Sequence, residues 1–503
     1  MQTVIDSSIF AFRPTFASSD PSNGTPSGMN IQRFCAGCFH RLEINQLSGM
    51  ICTVLVMLCS GQQVSAQDKS VSPFGPVATD YPSLQAALDA NRGRLVYLPA
   101  GDHKLNDKLY ITGDGSGLFG PGRIIQTNNE RVILEIEHAR NVQLRDVTLT
   151  RAEPTLEVNA AGLLIEDCHD VTIENVRVVD NRTRASAISA RSSSNCRIIN
   201  CVVRNYKRVT VEDRLTNFLA GYAFQCIDGS GIVVNDCRGT LIQGCRVVED
   251  NLRPLRETKE KYGLGKIVKK AAVKPERVPQ QVWESEYTDN WHQGSGIVVT
   301  GPESTDRTQI LGNTIEFAAQ GIDLHSDHVI VSNNVVFNSH MGLKAMHGSR
   351  NVLIIGNQFI KNDLWSIGLM PGAASHAALD ATPSQAARPA NTDGGSLIAN
   401  NIISDFGHGD ANWLWGNRRS PFLFDGGQIE TNPPLTDVLI QGNMVLDSGR
   451  QKIIVDGKAV IEPPHYRYAV IVAQGNNPPQ GLHFQGNVFH GGADGIANVE
   501  LAP

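Results

Sequence analysis

Four ionisable side chains fall within six residues of the segment GIDLHSDHVIVSNN (321–334): Asp323, His325, Asp327 and His328. The next related phrase, GLKAMHGSR (342–350), adds Lys344, His347 and Arg350. A histidine titrates near neutral pH and suits a general base, and a neighbouring carboxylate and ammonium can tune its charge. A base beside a cation can remove a proton next to a carboxylate and stabilise the enolate-like intermediate. On this reading His325 is the base, Asp323 sets its environment, and Lys344 or Arg350 neutralises the substrate carboxylate. Asp323, His325, Asp327 and His328 could also serve as oxygen and nitrogen ligands of a metal. No cofactor is required by the pattern, Ca2+ is admissible, and the metal is left unknown.

The elements that would position these residues are legible from a repeat. DVTIENVRV (170–178), NCRIINCVV (195–203), RTQILGNTI (307–315), HVIVSNNVV (328–336), NVLIIGNQF (351–359) and DVLIQGNMV (437–445) are variants of one phrase. Each is a short β-rich run with alternating polarity and a turn-forming Asn or Gly. The step from Asn313 to Asn334 is 21 residues and from Asn334 to Asn357 is 23, while other steps of 42 to 44 read as one coil plus an excursion. Strands too short to stand alone, with no helices between them, must stack as coils around a shared core. The expected fold is all-β: a right-handed parallel β-helix. Within it, alternation puts Ile322 and Leu324 inside and sends Asp323 and His325 outward. Aligning Gly321 with Gly342 sets Lys344 beside Asp323, ~4.8 Å away. Gly368 and Val298 fall in the same column, and Asp327 and His328 fall in a turn.

Residues 80–105, DYPSLQAALDANRGRLVYLPAGDHKL, predict a short amphipathic helix with Leu84, Ala87 and Leu88 on its buried face, running into a strand at 95–98. Such a helix would plug the solenoid's open end. This phrase closely resembles the start of the pectate-lyase-like superfamily, which implies the β-helix fold and a carbohydrate substrate. Residues 1–66 are expected to be a presequence. Its apolar run MICTVLVMLCSG (50–61) precedes the small residues Val64, Ser65 and Ala66, which fit a signal peptide ending at Ala66. The run is shorter than the ~20 residues that span a bilayer. Residues 67–503 would then form one β-helix domain, secreted or periplasmic, with no membrane attachment after cleavage. Six cysteines remain, from Cys168 to Cys245, and Cys168 with Cys237, and Cys201 with Cys245, share coil positions.

Excursions from the repeat are expected at about 205–222, 250–293, 371–395, 404–435 and 448–468. The chain carries 44 Lys and Arg against 50 Asp and Glu, a net charge of -6, which argues against a nucleic-acid partner. Residues 252–277 nevertheless hold nine Lys or Arg against three Glu, suited to attracting an acidic polymer. Residues 371–395, rich in Ala, Pro, Ser and Gly, read as a mobile loop or lid. His292, Trp413, Trp415, Arg418 and Arg419 are candidate substrate contacts, since aromatic rings stack on sugars and arginine forks match carboxylates.

GIDLHS and HMGLKAM together resemble the mannuronan C5-epimerases, whose Asp and His would correspond to Asp323 and His325. Leu324 stands where that family has proline, and Ser326 where it has an acid. The resemblance implies chemistry on a uronic-acid polysaccharide, by C5 epimerisation or by lyase elimination. His347, at the turn after Lys344, is a further catalytic candidate from its position on the same face. Two alternatives stand beside it. NTDGG (391–395) and GHG (407–409) resemble pieces of the polygalacturonase motifs and would imply a glycoside hydrolase. A β-helix that only binds glycans would use none of this chemistry.

Overall fold

The computed structural model describes residues 75–152, 158–209, 227–250, 294–410, 419–427, 429–447 and 452–503. Three parallel sheets of 12 strands each run its length, and successive strands in the chain pass from the first sheet to the second to the third and back. The first sheet begins at Leu95–Tyr97 and ends at Gln480–Gln485. The second runs from Asp102–Leu105 to Val488–Phe489, and the third from Leu109–Ile111 to Gly495–Ala497. Period-2 alternation explains the core. In the first sheet Ile173, Ile198, Ile242, Ile310, Val331, Ile354, Ile398 and Ile440 stack in register, each fully buried. Each such side chain contributes roughly 1.5–3 kcal/mol of burial.

The asparagines of the repeat form a second internal stack. Asn313 Nδ2 donates to Asn334 Oδ1 at 2.9 Å, and the pattern continues through Asn357, Asn401 and Asn443 to Asn487. Each amide also donates to a backbone carbonyl of the preceding coil, as Asn357 does to Val331. Buried polar groups survive only when so paired. This accounts for the doubled sequence steps, because strands before and after an excursion still pair directly, Leu353 with Leu397.

The helix Leu84–Ala90 forms as expected: the Ser83 hydroxyl caps it by accepting from the Ala86 N–H, and Leu84, Ala87 and Leu88 are buried. The five described cysteines are free and buried. The presequence lies outside the described residues, and no described helix is long and apolar enough to cross a membrane.

Two expectations are corrected. Residues 371–395, expected as an irregular loop, fold back as a hairpin, with antiparallel bridges His376 to Asn391, Leu379 to Arg388 and Thr382 to Gln385, and Arg388 pairs with Glu303. Alternation also fails to separate core from solvent in the third sheet, where Gln320–Leu324, Met341–Ala345 and Trp365–Leu369 are buried at every position. Met341, Met346, Leu364, Trp365, Met370 and Leu423 form a small apolar cluster of their own, apart from the main core.

Candidate functional site

Strand pairing puts Asp323 opposite Lys344, with Val298 before them and Gly368 after, the column read from the sequence. The space beside Gly368 is not open. A Cβ on Gly368 would lie 2.8 Å from the Trp365 indole, so that ring fills the space the glycine leaves.

Asp323 is buried between the His325 ring and the Lys344 ammonium. His325 Nε2 lies 2.9 Å and Lys344 Nζ 3.1 Å from the same oxygen, Oδ1, and neither contact is aligned as a directed hydrogen bond. Burial alone would raise this carboxyl, but the charges and contacts of His325 and Lys344 outweigh it and hold it well below the usual carboxylate range. Asp323 therefore stays anionic. His325 also reaches Thr300 Oγ1, 3.4 Å from Nδ1.

His347 meets His325 edge to face, with ring centroids 4.6 Å apart. Its backbone sits in the left-handed region at φ 63°, as at other corners of the coils such as His328 and Asn351. The Ala374 N–H donates to Nδ1 at 3.1 Å, which places the proton of the neutral ring on Nε2. Burial first, then the charges of His325 and Lys344, push its pKa down to about 3. His347 is thus a neutral imidazole with Nε2–H as a donor.

A brace behind His347 was not read from the sequence. Asp393 Oδ1 accepts the Gly348 and Ser349 N–H groups at 2.9 and 3.0 Å, and Oδ2 accepts the Ser375 hydroxyl. Asn391 Nδ2 donates to the His347 and Ala374 carbonyls. Burial pushes the Asp393 carboxyl up to about 6 against the pull of these donors. Both residues lie in NTDGG, the piece that resembled a hydrolase motif. The packing is tight: a Cβ on Gly372 would fall 2.1 Å from His347 Nδ1.

Other candidates are placed elsewhere. Arg350 pairs with Asp327 at 2.8 Å in the turn beyond the strand, and Asn351 holds the other oxygen of Asp327. His328 is exposed beside them, so Asp327 and His328 do not converge with Asp323 and His325 on one ion. Arg419 is held by Asp363, through its carbonyl at 3.0 Å and its carboxylate at 2.7 Å. His292, Trp413, Trp415 and Arg418 lie outside the described residues.

The sequence matches the family described as right handed beta helix region over residues 132–264. No curated protein matches it. Among solved structures, the Dettilon tailspike protein is 13% identical with a TM-score of 0.51, covering 85% of this chain and 67% of that one. An exopolygalacturonase from Thermotoga maritima is 10% identical with a TM-score of 0.48, covering 80% and 85%. The A-module of a mannuronan C-5 epimerase from Azotobacter vinelandii is 13% identical with a TM-score of 0.40, covering 82% and 99%. At these identities the likeness is one of fold: the chain is a right-handed parallel β-helix.

Proposed function

We propose that the protein is an exported enzyme acting on an acidic polysaccharide by proton abstraction next to a uronate carboxylate, as a lyase or a C5-epimerase. The observation that carries this reading is the Asp323 carboxylate clamped between His325 and Lys344, with the His347 ring against His325. Hydrolysis needs a carboxylic acid that can give up a proton to the leaving oxygen. Asp323 is held ionised and cannot be that acid. Asp393 has the raised pKa, but both its oxygens are taken by Gly348, Ser349 and Ser375.

His325 takes the proton, and Asp323 holds its ring. Lys344, whose ammonium has three donors, uses one toward Asp323 and offers the others to the substrate carboxylate as charge builds there. His347, a neutral ring, offers Nε2–H as a hydrogen bond to the substrate. The proton taken by His325 passes to the leaving 4-oxygen in elimination, whereas in epimerisation water gives the new proton to the opposite face and His325 returns its own to that water. The basic segment 252–277 supports an acidic substrate. His292, Trp413, Trp415 and Arg418 are proposed sugar contacts.

The test is a panel of alginate, pectate and glycosaminoglycans, assayed together for unsaturated-uronate absorbance, new reducing ends and C5 proton exchange with solvent. Absorbance marks a lyase, and exchange without chain cleavage an epimerase. Reducing ends without absorbance mean hydrolysis, and silence in all three channels means a binding module. Full activity in His325→Ala would remove this site from the reaction.

A further inference from the structure

Two motifs play no part in the site above: GHG (407–409) and the EPPH run at 462–465. The structure brings them together. His408 follows the second-sheet strand Ile402–Ser404, and Glu462 and His465 lie between the hairpin strand Lys458–Ile461 and the third-sheet strand Tyr468–Val472. All three precede third-sheet strands, whereas His325 and His347 follow theirs, so this is a separate place on the helix. We propose that His408, Glu462 and His465 form a binding site for a transition-metal dication, with Zn2+ the fitting ion, which clips two neighbouring excursions together.

One potential ligand atom from each of the three residues lies within 4.8 Å of the other two. A tetrahedral ion with bonds of ~2.1 Å has ligand atoms about 3.4 Å apart, so capture would close the wider gaps and ease apart the short His465 to Glu462 contact. The donors are preset in several ways. His465 Nδ1 lies 2.8 Å from the Gly407 carbonyl, which can only accept, so Nδ1 carries the proton and Nε2 the lone pair. Nε2 in turn stands 2.8 Å from Glu462 Oε1. A lone pair against a carboxylate oxygen repels at that distance, and only a cation between them, a second proton or a metal, makes the contact attractive.

His408 Nε2 lies 3.2 Å from Asp447 Oδ1, whose side chain is fully buried. That contact is not aligned as a directed hydrogen bond, so it leaves the tautomer open and either ring nitrogen of His408 can supply the lone pair. Each imidazole thus has one nitrogen facing an oxygen, the arrangement that orients metal-bound histidines. The rings stack with centroids 4.0 Å apart and planes at 19°. Two protonated rings at that spacing would repel, while one dication serves both neutral rings.

The backbone is fitted to this approach. Pro463 and Pro464 fix the chain between Glu462 and His465. At Gly407 a Cβ would fall 2.5 Å from the Cβ of His465, so only glycine lets the two segments close. Two nitrogens and a carboxylate suit Zn2+ and its neighbours in the series rather than Ca2+ or Mg2+, which prefer oxygen.

The test uses the full chain without a polyhistidine tag, stripped with chelator and titrated calorimetrically with Zn2+ and with Ca2+. We expect one Zn2+ per chain, bound at least 100-fold more tightly than Ca2+, and a tetrahedral-type visible spectrum when Co2+ is substituted. His408→Ala and His465→Ala should each weaken Zn2+ binding at least 100-fold. Glu462→Gln, which keeps the shape, should weaken it about 10-fold or more, and His376→Ala should leave it unchanged. Absence of saturable one-to-one binding to the native chain, or native affinity retained in His408→Ala, His465→Ala or Glu462→Gln, overturns the proposal. In the first case the His465 to Glu462 contact is a protonated ion pair.

Discussion

Replacing Asp323 with Asn removes the charge that the Lys344 ammonium and the His325 ring both face. Lys344 is the partner left in trouble: its side chain is 10% exposed and that of Asp323 8%, so water does not screen the loss. Breaking a buried pair by removing one partner typically costs about 3–5 kcal/mol, whereas removing both charges together is often near neutral. Asp323→Asn should therefore destabilise the fold by about 3–5 kcal/mol, and adding Lys344→Met should restore most of it. The double variant should show a coupling of at least about 2 kcal/mol. Because the folded pKa of Asp323 is depressed, its contribution is full above the ordinary value of ~3.9 and is lost as pH falls toward the lower folded value. Urea midpoints measured between pH 7 and pH 2.5, with near-UV circular dichroism as a check on packing, would read both effects. The wild-type chain should lose stability below about pH 4 more steeply than Asp323→Asn. Costs that simply add in the double variant, or a cost below about 1 kcal/mol for Asp323→Asn, would refute the clamped-carboxylate reading.

Asp393 carries the opposite sign. Its folded pKa, about 6, lies above the unfolded value, so its contribution is full below ~3.9 and lost as pH rises through 6, a loss that Asp393→Asn should abolish in the same urea series. The His347 ring should show the 15N shifts of a neutral imidazole protonated at Nε2 across pH 5 to 8, as roughly expected for a pKa depressed to about 3. Gly372→Ala should keep the fold but displace His347, lowering turnover at least about 10-fold while costing about 1–3 kcal/mol in stability. Asn357→Ala, far from any chemistry, should cost about 2–4 kcal/mol by orphaning the Val331 carbonyl and breaking the asparagine stack, with activity per folded molecule unchanged.

The sequence makes register unusually legible in this molecule because each coil repeats the same constraint. Alternation says which side chains enter the core, the asparagine marks one corner, and together they leave a single way to align Gly321 with Gly342. That is why Asp323 beside Lys344 could be read without coordinates. Depth could not. An outward-facing residue on a lone sheet meets solvent, but the third sheet here is closed on its outer side as well, and nothing in the phrase GLKAM says that Lys344 will be buried. The brace behind His347 was hidden for a related reason. Asp393 and Asn391 arrive from a hairpin whose own bridges, from His376 to Asn391 and onward, depend on pairings no repeat announces.

The pieces that looked like fragments of a hydrolase motif turn out to be split between two tasks, NTDGG bracing His347 and GHG presenting His408 to His465. In a solenoid the coils fix where strands lie, and the excursions decide which polar groups meet across them. The chemistry of the chain is therefore set less by the repeat than by the departures from it. Substitutions that tighten or loosen those departures, at Gly372 and Gly407 above all, should change reactivity or ion binding while leaving the stacked core intact.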